Sequence, residues 1–123
     1  MKTQVLVTKY DLLTEDVEVL ADGLGNFQDG KLTYHELNDP VNKHEITFMD
    51  DRIYLRRYAE MESETELLVD RKGMCKVVSP YGVMVLESVL LVYERKEDTY
   101  MVEYQIYQEE ELISHQKIVW KIK

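Results

Sequence analysis

Thr99-Tyr100-Met101-Val102-Glu103-Tyr104-Gln105-Ile106-Tyr107 repeats with a period of two. Tyr100, Val102, Tyr104 and Ile106 share one face; Met101, Glu103, Gln105 and Tyr107 take the other. Successive side chains of a strand point to opposite sides, so this alternation marks a half-buried β-strand. The same pattern fills the chain from Tyr81 to Lys123, broken only by short polar stretches. Outward from this stretch, the pattern predicts strands at Thr3–Lys9, Gly30–Leu37, Lys43–Met49, Arg52–Ala59, Thr65–Asp70 and Met74–Ser79. Further strands are predicted at Val83–Glu94, Thr99–Tyr107 and Leu112–Ile122. The breaks carry turn chemistry, as in Asp29-Gly30, Asn38-Asp39-Pro40, Lys72-Gly73 and Pro80-Tyr81-Gly82. Many short strands at this spacing predict an all-β fold, an antiparallel meander that closes as a β-barrel or folds as a sandwich, the barrel being the expected form. Leu12–Leu20 reads equally as a short helix capped by Thr14 or as a strand at Glu15–Leu20.

Composition sets the limits. A chain of 123 residues with no linker or low-complexity run is read as one domain, 1–123. With 45% hydrophobic residues it has enough apolar surface to form a core. Cys75 is the only cysteine, which excludes an internal disulfide and a zinc site built on several thiolates. The first residues lack the apolar region of a signal peptide, and Val83–Tyr93 is too short to span a bilayer as a helix. A cytoplasmic location is therefore expected, with no membrane partner. The net charge of −9, from 15 basic and 24 acidic residues, argues against nucleic acid and anionic membranes.

Gly25–Glu36 partly matches a calcium loop, with Asp29, Gly30 and Glu36 in place. It fails at the first and third positions, where Gly25 and Phe27 offer no carboxylate, so an Asp-Gly turn entering a strand is expected instead. His35, His44 and His115 show no metal-ligand spacing and are expected at the surface or on strand edges. Cys75 is expected to be buried and inert. The acidic clusters Asp50-Asp51 and Glu109-Glu110-Glu111 fall at turns and read as solvated charge. No metal, no cofactor and no catalytic nucleophile–base pair is legible, so an enzyme is not expected.

The sharper signal is polar residues in phase with apolar ones. A loop centred on Glu110 sets Tyr104 opposite Gln116 and Tyr100 opposite Trp120, and carries Ser114 onto the same inner face. A two-residue turn at Lys96-Glu97 then places Glu87 opposite Ile106, inside; a three-residue loop would bring in Ser88 instead. Arg56 and Arg57 are neighbours on one strand, so one of them faces inward and is the natural partner of Glu87. Arg56, Arg57, Glu87, Tyr104, Ser114 and Gln116 thus form a candidate ligand-binding cluster at one barrel end, above an apolar floor of Trp120 and Tyr100. The same residues could equally form a solvated rim network.

Ser79-Pro80-Tyr81-Gly82 followed by Val83–Ser88 resembles the signature of the YwiB-like family: a Thr/Ser-Pro-Tyr-Gly turn, then an apolar strand with a hydroxyl residue near its middle, here Ser88. Tyr34-His35-Glu36 resembles the family's Tyr-x-Glu, and Ile53–Arg57 its strand ending in Arg; Arg57-Tyr58-Ala59-Glu60 departs from the glycine-containing turn that follows there. The resemblance runs from about Gly30 to the C-terminus. It implies a small bacterial lipocalin-like barrel and no particular activity. Two functions follow as expectations. One is a barrel that binds a small, partly apolar molecule, with an apolar carboxylate favoured because an arginine can grip it bidentately. The other is an interaction module working through its outer surface. Val83–Val92 is apolar on both faces, which predicts cover by a partner, a second subunit or the N-terminal segment. If Glu87 faces in, Met84, Leu86, Leu90 and Val92 face out as part of a homodimer surface.

Overall fold

The computed structural model describes residues 1–123. Ten strands run in chain order: β1 (Lys2–Asp11), β2 (Val17–Gln28), β3 (Lys31–His35), β4 (Lys43–Phe48), β5 (Arg52–Tyr58), β6 (Glu62–Leu68), β7 (Gly73–Ser79), β8 (Gly82–Lys96), β9 (Thr99–Gln108) and β10 (Glu111–Ile122). Each pairs antiparallel with the next, and β1 closes on β10, with Val7 opposite Trp120. This is the closed meander that the alternation predicts. No helix is long and apolar enough to cross a membrane.

The ambiguous segment before β2 resolves as a turn and a strand. Asp11 Oδ1 accepts from the Leu13 and Thr14 amides, and β2 then runs twelve residues through Gly23 and Gly25. In the sequence those glycines look like punctuation. In the barrel Gly25 allows close packing: a Cβ there would stand 2.7 Å from the Thr33 carbonyl oxygen and 2.8 Å from Val5 Cγ2. The Asp29-Gly30 turn has both residues at positive φ, 53° and 78°, as a tight hairpin requires. Asp29 lies at one end of β3 and Glu36 beyond the other, about 20 Å apart at ~3.3 Å per residue. They do not share a cation.

The inward phase of each strand builds one core, which includes Val5, Val7, Leu32, Ile46, Ile53, Leu67, Val102 and Trp120. The two barrel ends differ. Near the chain termini aromatic rings close the barrel. Phe48 stacks on Tyr100 at 3.9 Å and meets Trp120 edge-on at 5.2 Å, and Phe27 leans edge-on against Tyr100 at 6.3 Å. The opposite end, with the β1–β2, β3–β4, β5–β6, β7–β8 and β9–β10 turns, stays open.

Register decides which residues reach the interior. Tyr104 stands opposite Gln116 and Tyr100 opposite Trp120, as expected, although the route differs: the turn is Glu109-Glu110, and a bulge at Ile113 restores the register. On the other side of β9 the expectation fails. The β8–β9 turn is Glu97-Asp98, with Lys96 opposite Thr99, and a bulge at Leu91 shifts the ladder by one residue. A one-residue shift exchanges the faces. Ser88, not Glu87, therefore lies opposite Ile106 and is fully buried. Glu87 sits on the outer wall, where Lys72 Nζ approaches its carboxylate to 3.5 Å. The expected outer patch changes with it. Leu86 and Leu90 pack inward and Met84 lies in the inward phase, while Val83, Val85 and Val89 take the outer phase with Val92. The N-terminal segment does not cover β8, because it is β1 in the wall.

Candidate functional site

Three strands approach the open end with one repeated pattern: two apolar inward residues, then a charged or polar one. Val5-x-Val7-x-Lys9 rises along β1, Leu32-x-Tyr34-x-Glu36 along and just past β3, and Ile53-x-Leu55-x-Arg57 along β5. Strands running the other way show it reversed: His44-x-Ile46-x-Phe48 in β4 and Gln116-x-Ile118-x-Trp120 in β10. The polar ends of these patterns meet around a cavity of about 380 Å³. Ile46, Leu55, Ile118 and Trp120 form its deep part, and Lys9, Glu18, Glu36, Asn38, His44, Arg56 and Arg57 surround its mouth. Thr65, Tyr104 and Gln116 complete the wall. The volume lies at the small end of the range for ligand pockets, about 300–1,000 Å³.

Glu36 organises the mouth. Arg57 grips it in a fork, Nε donating to Oε2 at 2.6 Å and Nη2 to Oε1 at 3.2 Å. Asn42 Nδ2 donates to Oε1 at 3.1 Å, and His44 Nε2 lies 2.5 Å from Oε2. A carboxylate only accepts, so His44 carries its proton on Nε2. Burial works against the Glu36 charge, but the bonds from Arg57, Asn42 and His44 outweigh it and hold the carboxyl at about 2. Burial also lowers the pKa of His44 below its usual value, and the adjacent Glu36 offsets only part of that effect. The imidazole stacks on Tyr34, centroids 5.0 Å apart and rings nearly parallel. Deeper in, the Trp120 indole donates to the Tyr34 hydroxyl at 3.1 Å, and the Tyr104 hydroxyl donates to Gln116 Oε1 at 3.0 Å. Burial raises the pKa of both phenols, so they stay neutral hydrogen-bonding groups.

The shifts of Glu36 and His44 act on stability in the same direction. Each lies below its unfolded value, so each contributes stability above that value and loses it as pH falls. Stability is expected to decline first below about pH 6.5, as His44 is forced to protonate. It declines again from about 4.5 towards 2 as Glu36 does. Screening at an open mouth holds the Glu36 part to about 1–2 kcal/mol. Urea unfolding across this range checks it. In Glu36→Gln the lower leg should be missing.

The structure brings together only part of the sequence-derived cluster. Arg57 faces inward and Arg56 outward, where it pairs with Glu64 while still bordering the mouth. Tyr104, Gln116 and Trp120 line the cavity; Glu87 does not. Ser114 keeps the inward phase opposite Ile106 but is not part of the cavity lining. Tyr100 belongs to the aromatic closure rather than to the cavity floor. Lys9, Glu36, His44 and Thr65 were missed as site residues. His44 in particular is not a surface histidine: it continues the inward phase of Ile46 and Phe48. His35 is exposed and bonds the Pro40 carbonyl, and His115 meets Glu103 at 2.9 Å on the outer wall. Cys75 is buried, accepts from Thr65 Oγ1 at 3.3 Å, and has its thiol pKa raised by burial. Every buried side-chain nitrogen and oxygen has a partner within the chain. The cavity therefore contains no orphaned buried group that a ligand must satisfy.

Among solved structures the chain is similar to the YwiB protein from Bacillus subtilis. The TM-score is 0.57 with 10% sequence identity over 98% of this chain and 89% of that one. At this identity the likeness is one of fold. No protein-family model and no curated protein matches the chain.

Proposed function

We propose that the barrel binds a small, partly apolar acid, with the carboxylate at the mouth and the apolar body against Ile46, Leu55 and Ile118. One observation carries this reading. The chain has a net charge of −9, yet three cations, Lys9, Arg56 and Arg57, border the mouth against two carboxylates, Glu18 and Glu36. Arg57 is engaged by Glu36 and Arg56 by Glu64. Lys9 faces inward, is half-buried and makes no ion pair. It is the free cation over an apolar cavity, and it replaces Glu87 with Arg56 or Arg57 as the centre of the site. Arg57, Tyr104, Gln116 and Trp120 remain wall and positioning residues. Ser114 is at most a rim contact.

The chain is read further as a divergent YwiB-like protein. Tyr34, Glu36 and Arg57, three residues that carry the resemblance, converge at the mouth, and Ser88 is the buried hydroxyl of β8. A cytoplasmic location belongs to this reading, since an unpaired thiol such as Cys75 stays reduced there.

Trp120 is the only tryptophan and lies in the cavity wall, so its emission reports occupancy. Medium-chain fatty acids and aryl acetic acids are expected to shift it and to raise the melting temperature, and the matching neutral alcohols to do so much less. Lys9→Gln should weaken the acids about tenfold, equivalent to about 1.4 kcal/mol, and leave the alcohols unchanged. No response to any acid, or equal response to acid and alcohol, would overturn the proposal.

A further inference from the structure

One acceptor at the cavity mouth is unused. His44 gives its Nε2 proton to Glu36, so in the neutral ring Nδ1 holds a lone pair and no hydrogen. No donor of the chain reaches that nitrogen, whereas every fully buried side-chain nitrogen and oxygen has a partner. Nδ1 is therefore open to solvent. His44 follows the inward phase of β4, keeps only 12% of its side chain exposed and borders the cavity, so the opening is towards the cavity. The ring is held in this orientation, stacked on Tyr34 at 5.0 Å and tied to Glu36 at its far edge. Burial above all, with the charges of Arg57 and Lys9, holds His44 below its ordinary pKa against the pull of Glu36, and the ring stays neutral at physiological pH.

The other strong acceptors at this end are occupied or solvated. The Glu36 oxygens take Arg57, Asn42 and His44, and Gln116 Oε1 takes the Tyr104 hydroxyl. Glu18 stands opposite Lys9 in the β1–β2 ladder but is exposed, so a ligand there competes with water. Nδ1 also lies near the free cation, since Lys9 is one of the charges that bear on the His44 ring. A cation and a neutral acceptor thus share one mouth over an apolar cavity. A plain fatty acid would use the first and strip water from the second without replacing it.

Resting on the acid-binding reading, we propose that the ligand is a hydroxy acid whose hydroxyl donates to His44 Nδ1. Its carboxylate meets Lys9, the hydroxyl sits on the first or second carbon from the carboxylate, and the apolar body lies against Ile46, Leu55 and Ile118. Glu36 is then a positioning residue: it fixes the tautomer of His44 and turns the lone pair towards the ligand. An ammonium group also donates, but here it would enter among Lys9, Arg56 and Arg57, so the neutral hydroxyl is the donor that fits. A group that only accepts, such as an ether oxygen, would meet the lone pair head on. A site built to bond a hydroxyl rejects the analogue that lacks it, because its own polar group is left unpaired.

The test titrates octanoate, 2-hydroxyoctanoate, 3-hydroxyoctanoate, their methyl ethers and 2-aminooctanoate into the full chain at neutral pH, read by Trp120 emission. One hydroxy acid should bind about fivefold tighter than octanoate, the net worth of one hydrogen bond. Its methyl ether and the amino acid should bind more weakly than it does. In His44→Phe, which keeps an aromatic ring against Tyr34, the preference for the hydroxy acid over octanoate should vanish, whatever the change in octanoate itself. Nitrogen NMR of the unmodified chain gives a readout that needs no variant: the unprotonated Nδ1 resonance of His44 should move upfield with the hydroxy acid and much less with octanoate. Equal binding of octanoate, hydroxy acids and ethers overturns the hydroxyl assignment and leaves the acid-binding reading standing; no binding of any acid overturns both. An unmoved Nδ1 resonance, tighter binding of the amino acid, or a preference that survives His44→Phe also overturns the assignment.

Discussion

Trp120→Ala is expected to destabilise the barrel by about 3–5 kcal/mol, the range for truncating a fully buried large aromatic. Set against a total of about 5–15 kcal/mol for a domain, this is the largest single-residue effect anticipated. Trp120 has no exposed surface. It packs edge-on against Phe48, stands opposite both Val7 and Tyr100 in the wall, and donates its indole proton to Tyr34. Its removal opens a void between the aromatic closure and the cavity at the open end and leaves the buried Tyr34 hydroxyl without its donor. Trp120→Phe separates the two contributions. It keeps most of the volume and loses the donor, so its cost should fall nearer the ~1–3 kcal/mol of a lost buried partner. Urea unfolding followed by circular dichroism measures both, since the variants lack the fluorophore. A loss below about 1 kcal/mol for Trp120→Ala would mean that the rings at the closed end do not depend on it.

Strand identity was legible because a half-buried wall stamps period two on the sequence. The register of β9 against β10 was legible for the same reason: Tyr104, Gln105 and Ile106 face Gln116, His115 and Ser114 in strands whose two faces differ in polarity. β8 was not. Val89-Leu90-Leu91-Val92 is apolar on both faces, so a bulge at Leu91 leaves no trace in the pattern, yet it exchanges Glu87 and Ser88 between wall and interior. The mouth was half legible. Arg57 could be assigned inward or outward only by its phase with Ile53 and Leu55, which favours inward. The same rule, applied to Val5-x-Val7-x-Lys9 and His44-x-Ile46-x-Phe48, would have recovered Lys9 and His44. They escaped because a single charged residue at a strand end usually marks solvent. What no single strand reveals is convergence: Glu36 meets Arg57 across 21 positions of sequence, through pairings that only the closed barrel fixes.

Gly73→Ala is expected to cost about 3 kcal/mol, the upper part of the range for overpacking a tight site. Gly73 opens β7 opposite Ser88. β6 pairs with β7 only as far as Thr65, opposite Cys75, and runs on to Leu68 without a β7 neighbour. Ser88 reaches across from β8 and donates its hydroxyl proton to the Glu66 carbonyl oxygen at 2.5 Å. β6 and β8 are thus drawn together around a residue with no side chain. A Cβ at position 73 would stand 2.1 Å from the Glu66 carbonyl oxygen and 2.6 Å from Ser88 Oγ. Ser88→Ala alone leaves that carbonyl without its donor, for about 1–2 kcal/mol. The double variant tells which obstacle dominates. Losing the hydroxyl relieves the 2.6 Å contact but not the shorter one to backbone, so the double variant should be no more stable than Gly73→Ala. Recovery in the double variant would identify the hydroxyl as the obstacle, and a neutral Gly73→Ala would show that β6 and β8 can part without loss. The Ser88 hydroxyl then has a structural reason to sit in the middle of an apolar strand: it closes the wall where β7 is too short to do so.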